Sequence, residues 1–157
     1  MQIKAGAEAI QLFDSWAGIL PTNQFIKWVI EPTRRIVTEI KRIHPTIPFI
    51  GFARGAGLML EEYSRLTLID AIALDTTIPP FWAANILQPF KPVQGNLDPI
   101  LVIAGGQALS NGIDEILTAF SGGPFIFNLG HGISQLTPPE HISQLANIIR
   151  SWPERCK

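Results

Sequence analysis

The sequence predicts an α/β domain built around a parallel β-sheet, and three observations support this fold class. Strand-like and helix-like segments alternate five times along the chain. The strand-like segments are short and apolar without alternation, which is typical of strands buried on both faces of a parallel sheet. Polar residues or glycines follow directly after each of them. Because the carboxyl ends of parallel strands share one edge of the sheet, we expect these residues to form a single site.

The individual elements follow from apolar spacing, proline and glycine. The predicted strands cover residues 9–14, 49–53, 69–74, 91–94 and the apolar run beginning at Phe125. The predicted helices cover residues 22–43, 57–65, 80–88, 106–120 and a last segment with Thr137 as N-cap and Pro138 as first helical residue. Pro32 interrupts the first helical pattern and should kink or split that helix.

Composition excludes several classes of protein. The chain has 157 residues, 46% of them hydrophobic, which suffices for one domain with a packed core. The net charge of -1 lacks the positive excess that is typical of nucleic-acid-binding proteins. No apolar stretch approaches the ~20 residues of a membrane span. No signal peptide is recognisable at Met1, and the single Cys156 excludes an internal disulfide, so we expect a cytoplasmic protein. Three separated histidines and one cysteine do not predict a zinc site.

These observations leave two architectures open. A closed eight-stranded barrel needs ~250 residues, so five βα units are too few to complete one. An open doubly wound sheet fits the length of the chain. A portion of a barrel fits a first strand that begins close to Met1.

Three motifs decide between them by resemblance. They are Phe13-Asp14-Ser15-Trp16-Ala17-Gly18, Gly95-Asn96-Leu97-Asp98-Pro99 and Asn128-Leu129-Gly130-His131-Gly132. Together they resemble motifs of the uroporphyrinogen decarboxylase family, in the same order and with similar spacing. Shorter similarities, such as Arg54-Gly55, Leu74-Asp75 and Thr137-Pro138-Pro139-Glu140, extend the resemblance over nearly the whole chain.

The resemblance implies a fold and an activity. Residues 1–157 would be the C-terminal portion of a (β/α)8 TIM barrel domain, about five βα units corresponding to strands four to eight. The family converts uroporphyrinogen III to coproporphyrinogen III in haem biosynthesis, releasing four CO2 from four acetate side chains. It uses no metal or organic cofactor, it binds its tetrapyrrole in a deep cleft, and its full-length members are usually homodimers.

The resemblance also implies which residues of this chain contact substrate. Ser15 matches a residue that hydrogen-bonds a substrate carboxylate, Phe13 matches a cleft-wall residue, and His131 matches a cleft histidine. Elementary chemistry agrees with these roles, because a hydroxyl and an imidazole can both donate to the carboxylates of the substrate.

Two further rim residues are candidates with open alternatives. Arg54 either binds a substrate carboxylate or pairs with a neighbouring acid. Asp75 either makes a hydrogen bond along the rim or faces the cleft. We expect Asn96 and Asp98 to stabilise their own turn, and His44 and His141 to be exposed.

The family's arginine-rich loop, its catalytic aspartate and a cleft tyrosine have no counterpart in this chain. No residue here is therefore assigned as catalytic, and we expect no appreciable decarboxylase activity from the chain alone. One alternative is a corrinoid-linked methyltransferase of the same superfamily, although its His-x-Cys zinc pattern does not match His131-Gly132-Ile133. Another is a non-catalytic, tetrapyrrole-binding remnant of a barrel.

Overall fold

The computed structural model describes residues 1–155 and contains one five-stranded parallel sheet. The strands pair in sequence order, each with the next along the chain. They are β1 (Ile10–Asp14), β2 (Phe49–Ala53), β3 (Ala71–Ala73), β4 (Val93–Leu97) and β5 (Phe125–Leu129). The predicted α/β class and the five parallel strands are confirmed.

Helices connect successive strands. They are α1 (Thr22–Phe25), α2 (Glu31–Ile43), α3 (Met59–Leu66), α4 (Pro80–Ile86), α5 (Pro99–Ala104), α6 (Gly106–Ala119) and α7 (Pro139–Arg155), with 3-10 turns at Ile3–Ala5 and Ala17–Ile19. Within the described residues, no helix is both long and apolar enough to cross a membrane.

Pro32, which was expected to kink or split the first helix, lies within α2, and the helical segment changes type before it without stopping. A π-helical turn, Ile26–Ile30, joins α1 to α2 and ends two residues before the proline. Proline lacks an N–H and crowds the preceding turn of an α-helix, and a widened turn relieves that conflict.

Two predicted boundaries are wrong. The fourth strand is Val93–Leu97 rather than residues 91–94, and the short helix α5 that follows it was not predicted. Gly95 and Asn96 are poor strand formers, so the pattern stops too early there. The last helix begins at Pro139, and Thr137 is not a helix cap: its buried Oγ1 has no hydrogen-bond partner among the described residues.

The two faces of the sheet have different surroundings. On one face Ile72 and Val93 are fully buried and share a core cluster with Leu60, Leu109 and Ile113 of the helices. The other face carries one continuous row of register partners, Phe13, Phe52, Ala73, Gln94 and Ile126. Phe13 and Ile126 are 67% and 43% exposed on this second face, so the core lies between the first face and the helices.

Hydrogen bonds at the amino ends of β2 and β3 fix that edge of the sheet. The Asp70 carboxylate accepts from Phe49 N at 2.7 Å and pairs with Lys41. Lys91 Nζ donates to the Ile69 carbonyl, and burial lowers the pKa of Lys91. These contacts lie at the edge opposite to the polar loops and serve stability.

Tyr63 should make the fold sensitive to alkali. Its side chain is 1% exposed, and burial, opposed by a hydrogen bond to Thr33 and reinforced by Asp14, raises its pKa to about 12 from 10.0. Because the folded-state pKa is the higher one, this stability is fully present below pH 10 and is lost as the pH rises through 12. Two pKa units correspond to about 3 kcal/mol in the free energy of unfolding.

The Tyr63→Phe variant isolates this effect in urea unfolding at pH 8 to 11. At pH 8 its free energy of unfolding should be lower by about 1 kcal/mol, because the hydrogen bond to Thr33 is lost. As the pH rises, this free energy should then decline less steeply than that of the unsubstituted chain. Equal alkaline slopes for the two proteins would contradict the assignment.

Candidate functional site

A cavity of about 470 Å³ opens at the carboxyl end of the sheet, on the face that the helices leave uncovered. All five strands or their exit loops contribute to its wall. The lining residues are Gln11, Phe13, Ser15, Phe52, Ala73, Leu74, Gln94 and residues 128–133. Polar residues from the exits of β1 and β5 meet in this cavity, whereas those that follow β2, β3 and β4 do not line it, so the expected convergence of all the strand exits into one site is only partly observed.

The three residues assigned to substrate binding all line this cavity. Phe13 packs edge-to-face on Phe52, with ring centroids 5.7 Å apart, and forms an apolar wall. Ser15 and His131 are exposed, and neither side chain is hydrogen-bonded to another residue of the described part of the chain. Their donors are therefore free for a ligand, although the two residues lie on opposite sides of the cleft, after β1 and β5.

Asp75 links the loops after β2 and β3. Its side chain is 3% exposed, and its Oδ2 accepts from Gly55 N at 2.6 Å. Its Oδ1 accepts from Thr77 N at 2.7 Å and from the Thr77 hydroxyl. Both oxygens are engaged within the chain, so the geometry favours the rim hydrogen bonds over contact with a ligand.

Asn96 extends this linkage to β4. It is 4% exposed, and its Nδ2 donates to the Asp75 carbonyl at 2.9 Å and to the Ile78 carbonyl at 2.8 Å. The expectation that Asn96 stabilises its own turn is wrong, because Asn96 is a strand residue directed towards the next loop. The expectation for Asp98 is confirmed: it caps α5 by accepting from Ile100 N at 2.9 Å.

Glycines allow the loops to approach each other closely. A Cβ on Gly130 would lie 2.6 Å from Thr76 N and 3.0 Å from the Asn96 carbonyl oxygen. A Cβ on Gly18 would lie 2.3 Å from the Gly55 carbonyl oxygen. The residue before His131 must therefore be glycine for the β5 loop to rest on the β3 loop.

Arg54 lies in a second, smaller cavity of about 260 Å³ that shares Ser15 with the main cleft. Trp16, Ile19 and Thr76 also line it. Arg54 is exposed and makes no ion pair within residues 1–155, so the alternative of a neighbouring acid as its partner is not observed. Its guanidinium is available to an anionic group that reaches this side lobe.

Sequence reasoning missed two polar residues at the base of the cleft. Gln94 Nε2 donates to Gln11 Oε1 at 3.3 Å, and both side chains line the cavity. The available signal was a glutamine within each of two short strands, Ile10–Asp14 and Val93–Leu97. Such a residue on a buried face is unusual unless its amide is hydrogen-bonded.

The remaining histidines and candidate metal ligands lie apart from this cleft. His44 and His141 were both expected to be exposed and are both half-buried, and His141 Nδ1 lies 2.9 Å from the Val102 carbonyl oxygen. Cys156 lies outside the described residues. Among residues 1–155, no group of three or more metal-ligating side chains is assembled.

Comparison with known proteins gives a consistent result. A family model described as Uroporphyrinogen decarboxylase (URO-D) matches residues 1–152. The chain is 48% identical over 150 residues to the uroporphyrinogen decarboxylase of Rhodospirillum rubrum, covering 96% of this chain and 43% of the relative. It is 52% identical over 149 residues to that of Sphingopyxis alaskensis, covering 95% and 44%. The chain thus spans less than half the length of these curated relatives.

A solved structure shares the fold at much lower sequence identity. It is a methyltransferase from Methanosarcina mazei, with a TM-score of 0.73 and 14% identity, covering 96% of this chain and 44% of that one. At this identity the similarity establishes the arrangement of helices and strands alone.

Proposed function

Since the chain belongs to the uroporphyrinogen decarboxylase family, we propose that it supplies part of the substrate cleft of an enzyme that converts uroporphyrinogen III to coproporphyrinogen III. In this reaction each of four acetate side chains loses CO2, and the carbon left behind takes up one proton to become a methyl group. The reaction belongs to the complete enzyme. The two uroporphyrinogen decarboxylases described above are more than twice as long as the part of them that this chain matches.

The placement of Phe13, Ser15 and His131 carries the proposal. His131 is over a hundred positions from Phe13 and Ser15 in sequence, yet all three residues line one cavity of about 470 Å³. The Ser15 hydroxyl and the His131 ring can donate to carboxylates, and charge-assisted hydrogen bonds of this kind are the stronger ones. Phe13 and Phe52 present an apolar wall to the pyrrole rings.

The five strands of this chain are proposed to be the last five strands of a barrel. The sequential strand order, together with a core on one face of the sheet only, supports strands four to eight of a (β/α)8 barrel. Residues 1–157 then form the C-terminal portion of that domain, and the missing strands close it. By the same family relationship we propose a cytoplasmic homodimer that binds neither metal, organic cofactor nor nucleic acid.

Arg54 and Asp75 have different roles in this scheme. Arg54, free and exposed in the side lobe beside Ser15, is proposed to bind a peripheral carboxylate of the tetrapyrrole. Asp75 positions the loops, because its oxygens are already engaged by Gly55 and Thr77. The catalytic aspartate of the family comes from the part of the barrel outside this chain.

A reconstitution assay tests the proposal. The chain alone should release no CO2 from uroporphyrinogen III, whereas coexpression with the N-terminal portion of the Rhodospirillum rubrum relative should restore decarboxylation. In the reconstituted enzyme, His131→Ala should reduce kcat/KM by roughly 10- to 100-fold, the value of one charge-assisted hydrogen bond.

His44→Ala is the matched control, because His44 follows α2 at the opposite edge of the sheet and should leave activity unchanged. Full activity of the chain alone would contradict the proposal. A reconstituted complex that binds uroporphyrin but releases no CO2 would instead favour the non-catalytic reading.

A further inference from the structure

Gln11 and Gln94 meet across the uncovered face of the sheet. They lie on β1 and β4, which are separated by two strands, yet Gln94 Nε2 reaches Gln11 Oε1 at 3.3 Å. Ala73 is the register partner of Gln94 on β3, and its short side chain leaves room between the two amides. The contact therefore depends on the curvature of the sheet and on a small residue between the pair.

The surroundings of the pair are apolar. Gln94 is 5% exposed, and its register partner Ala73 and, one strand further, Phe52 are apolar residues that line the same cavity. A hydrogen bond between two neutral amides adds little net stability, and an apolar pair of the same shape could replace it without loss. Stability alone does not account for two glutamines at the base of this cleft.

The direction of the hydrogen bond decides what Gln11 presents to a ligand. Gln94 donates, so the Gln11 oxygen is occupied and its NH2 group remains. That group has no hydrogen-bond acceptor within residues 1–155, and it belongs to a half-buried side chain that lines the cavity. It offers N–H donors to an acceptor such as a carboxylate oxygen.

We propose that Gln11 is a further substrate-binding residue, whose amide NH2 donates to a carboxylate oxygen of the bound tetrapyrrole. Gln94 is a positioning residue: by donating to Gln11 Oε1 it keeps the NH2 group of Gln11 directed into the cleft. The identity of the ligand rests on the proposed function. The presence of an N–H donor at the base of the cleft follows from the geometry of the amide pair alone.

Fluorescence titration with uroporphyrin I, a stable analogue with eight carboxylates, tests the proposal on the full chain. At pH 7.5, Gln11→Leu should weaken binding about 10-fold through the lost donor, and Gln11→Glu about 100-fold through charge repulsion. The Gln11→Glu defect should shrink as the pH falls towards 5 and the new carboxyl group protonates, whereas the Gln11→Leu defect should not.

Each Kd is taken relative to the unsubstituted chain at the same pH. His131, the other ionisable side chain that lines the cleft, is present in every protein compared, so its contribution cancels in the ratio. Gln107→Glu, an exposed glutamine of α6, is the control for adding one negative charge and should bind like the unsubstituted chain.

Gln94→Glu tests the positioning role. A carboxylate at position 94 can only accept, so it would draw the NH2 group of Gln11 away from the cleft and should weaken binding by about 10-fold or more. Urea unfolding of each variant confirms that the protein titrated is folded.

The outcomes separate the inference from the proposed function. If the unsubstituted chain does not bind uroporphyrin I, the titrations are repeated with the reconstituted complex, and both are overturned if that complex does not bind it either. If it binds and the folded Gln11→Leu and Gln11→Glu variants bind equally well at pH 7.5, only the role of Gln11 is overturned.

Discussion

Replacing Asp75 by asparagine should lower the free energy of unfolding by about 3 kcal/mol, although the side chain keeps its size and shape. The carboxylate accepts from Gly55 N on one oxygen and from Thr77 N and Oγ1 on the other. In asparagine one of these oxygens becomes an NH2 group that faces an N–H donor. At least one buried donor then loses its acceptor, at a cost of about 1–3 kcal/mol for each unsatisfied group.

Asp98→Asn is the matched control for this substitution. Asp98 accepts one hydrogen bond, from Ile100 N, and asparagine caps helices as well as aspartate does. Its unfolding free energy, from urea denaturation, should stay within about 0.5 kcal/mol of the unsubstituted chain. A stable Asp75→Asn variant that has lost only ligand affinity would show that Asp75 contacts the ligand rather than organising the rim.

Replacing Gly130 by alanine should also lower the free energy of unfolding, by about 3 kcal/mol, and should weaken uroporphyrin binding as well. The added Cβ would meet Thr76 N at 2.6 Å and the Thr76 methyl group at 2.8 Å, so the two loops must separate. Backbone atoms cannot repack as a side chain can, which places the cost at the upper end of the range for overpacking. The displaced loop carries His131 with it.

Gly122→Ala provides the comparison, because no atom lies within 4 Å of the position of its Cβ. The free energy of unfolding of this variant, measured by thermal melts and in urea, should stay within about 0.5 kcal/mol of that of the unsubstituted chain. A Gly130→Ala protein as stable as Gly122→Ala would show that the loops after β3 and β5 are not in close contact.

The sequence predicted the site better than it predicted its supports. Phe13, Ser15 and His131 lie in recognisable motifs at strand ends, and a parallel sheet brings such ends together whatever their separation along the chain. The same rules predicted the number of strands, whereas the π-helical turn before Pro32 was not predicted.

What escaped prediction depends on contacts between distant residues. Asn96 resembles a turn residue in sequence, and only the neighbouring loop explains its place in a strand. Gln11 and Gln94 can form a hydrogen bond only because the sheet curves enough to bring β1 and β4 within reach of each other. No local pattern of apolar spacing contains that information.

The linked loops at the carboxyl edge have a consequence for dynamics. Gly18 N donates to the Arg54 carbonyl at 2.9 Å and Gly130 N to the Leu97 carbonyl at 2.8 Å, with Asp75 and Asn96 joining the loops between them. No single loop can open without breaking hydrogen bonds to its neighbour, so these amides should exchange with solvent deuterium as one cooperative group. The cleft wall is therefore a single unit of local unfolding rather than five independent loops.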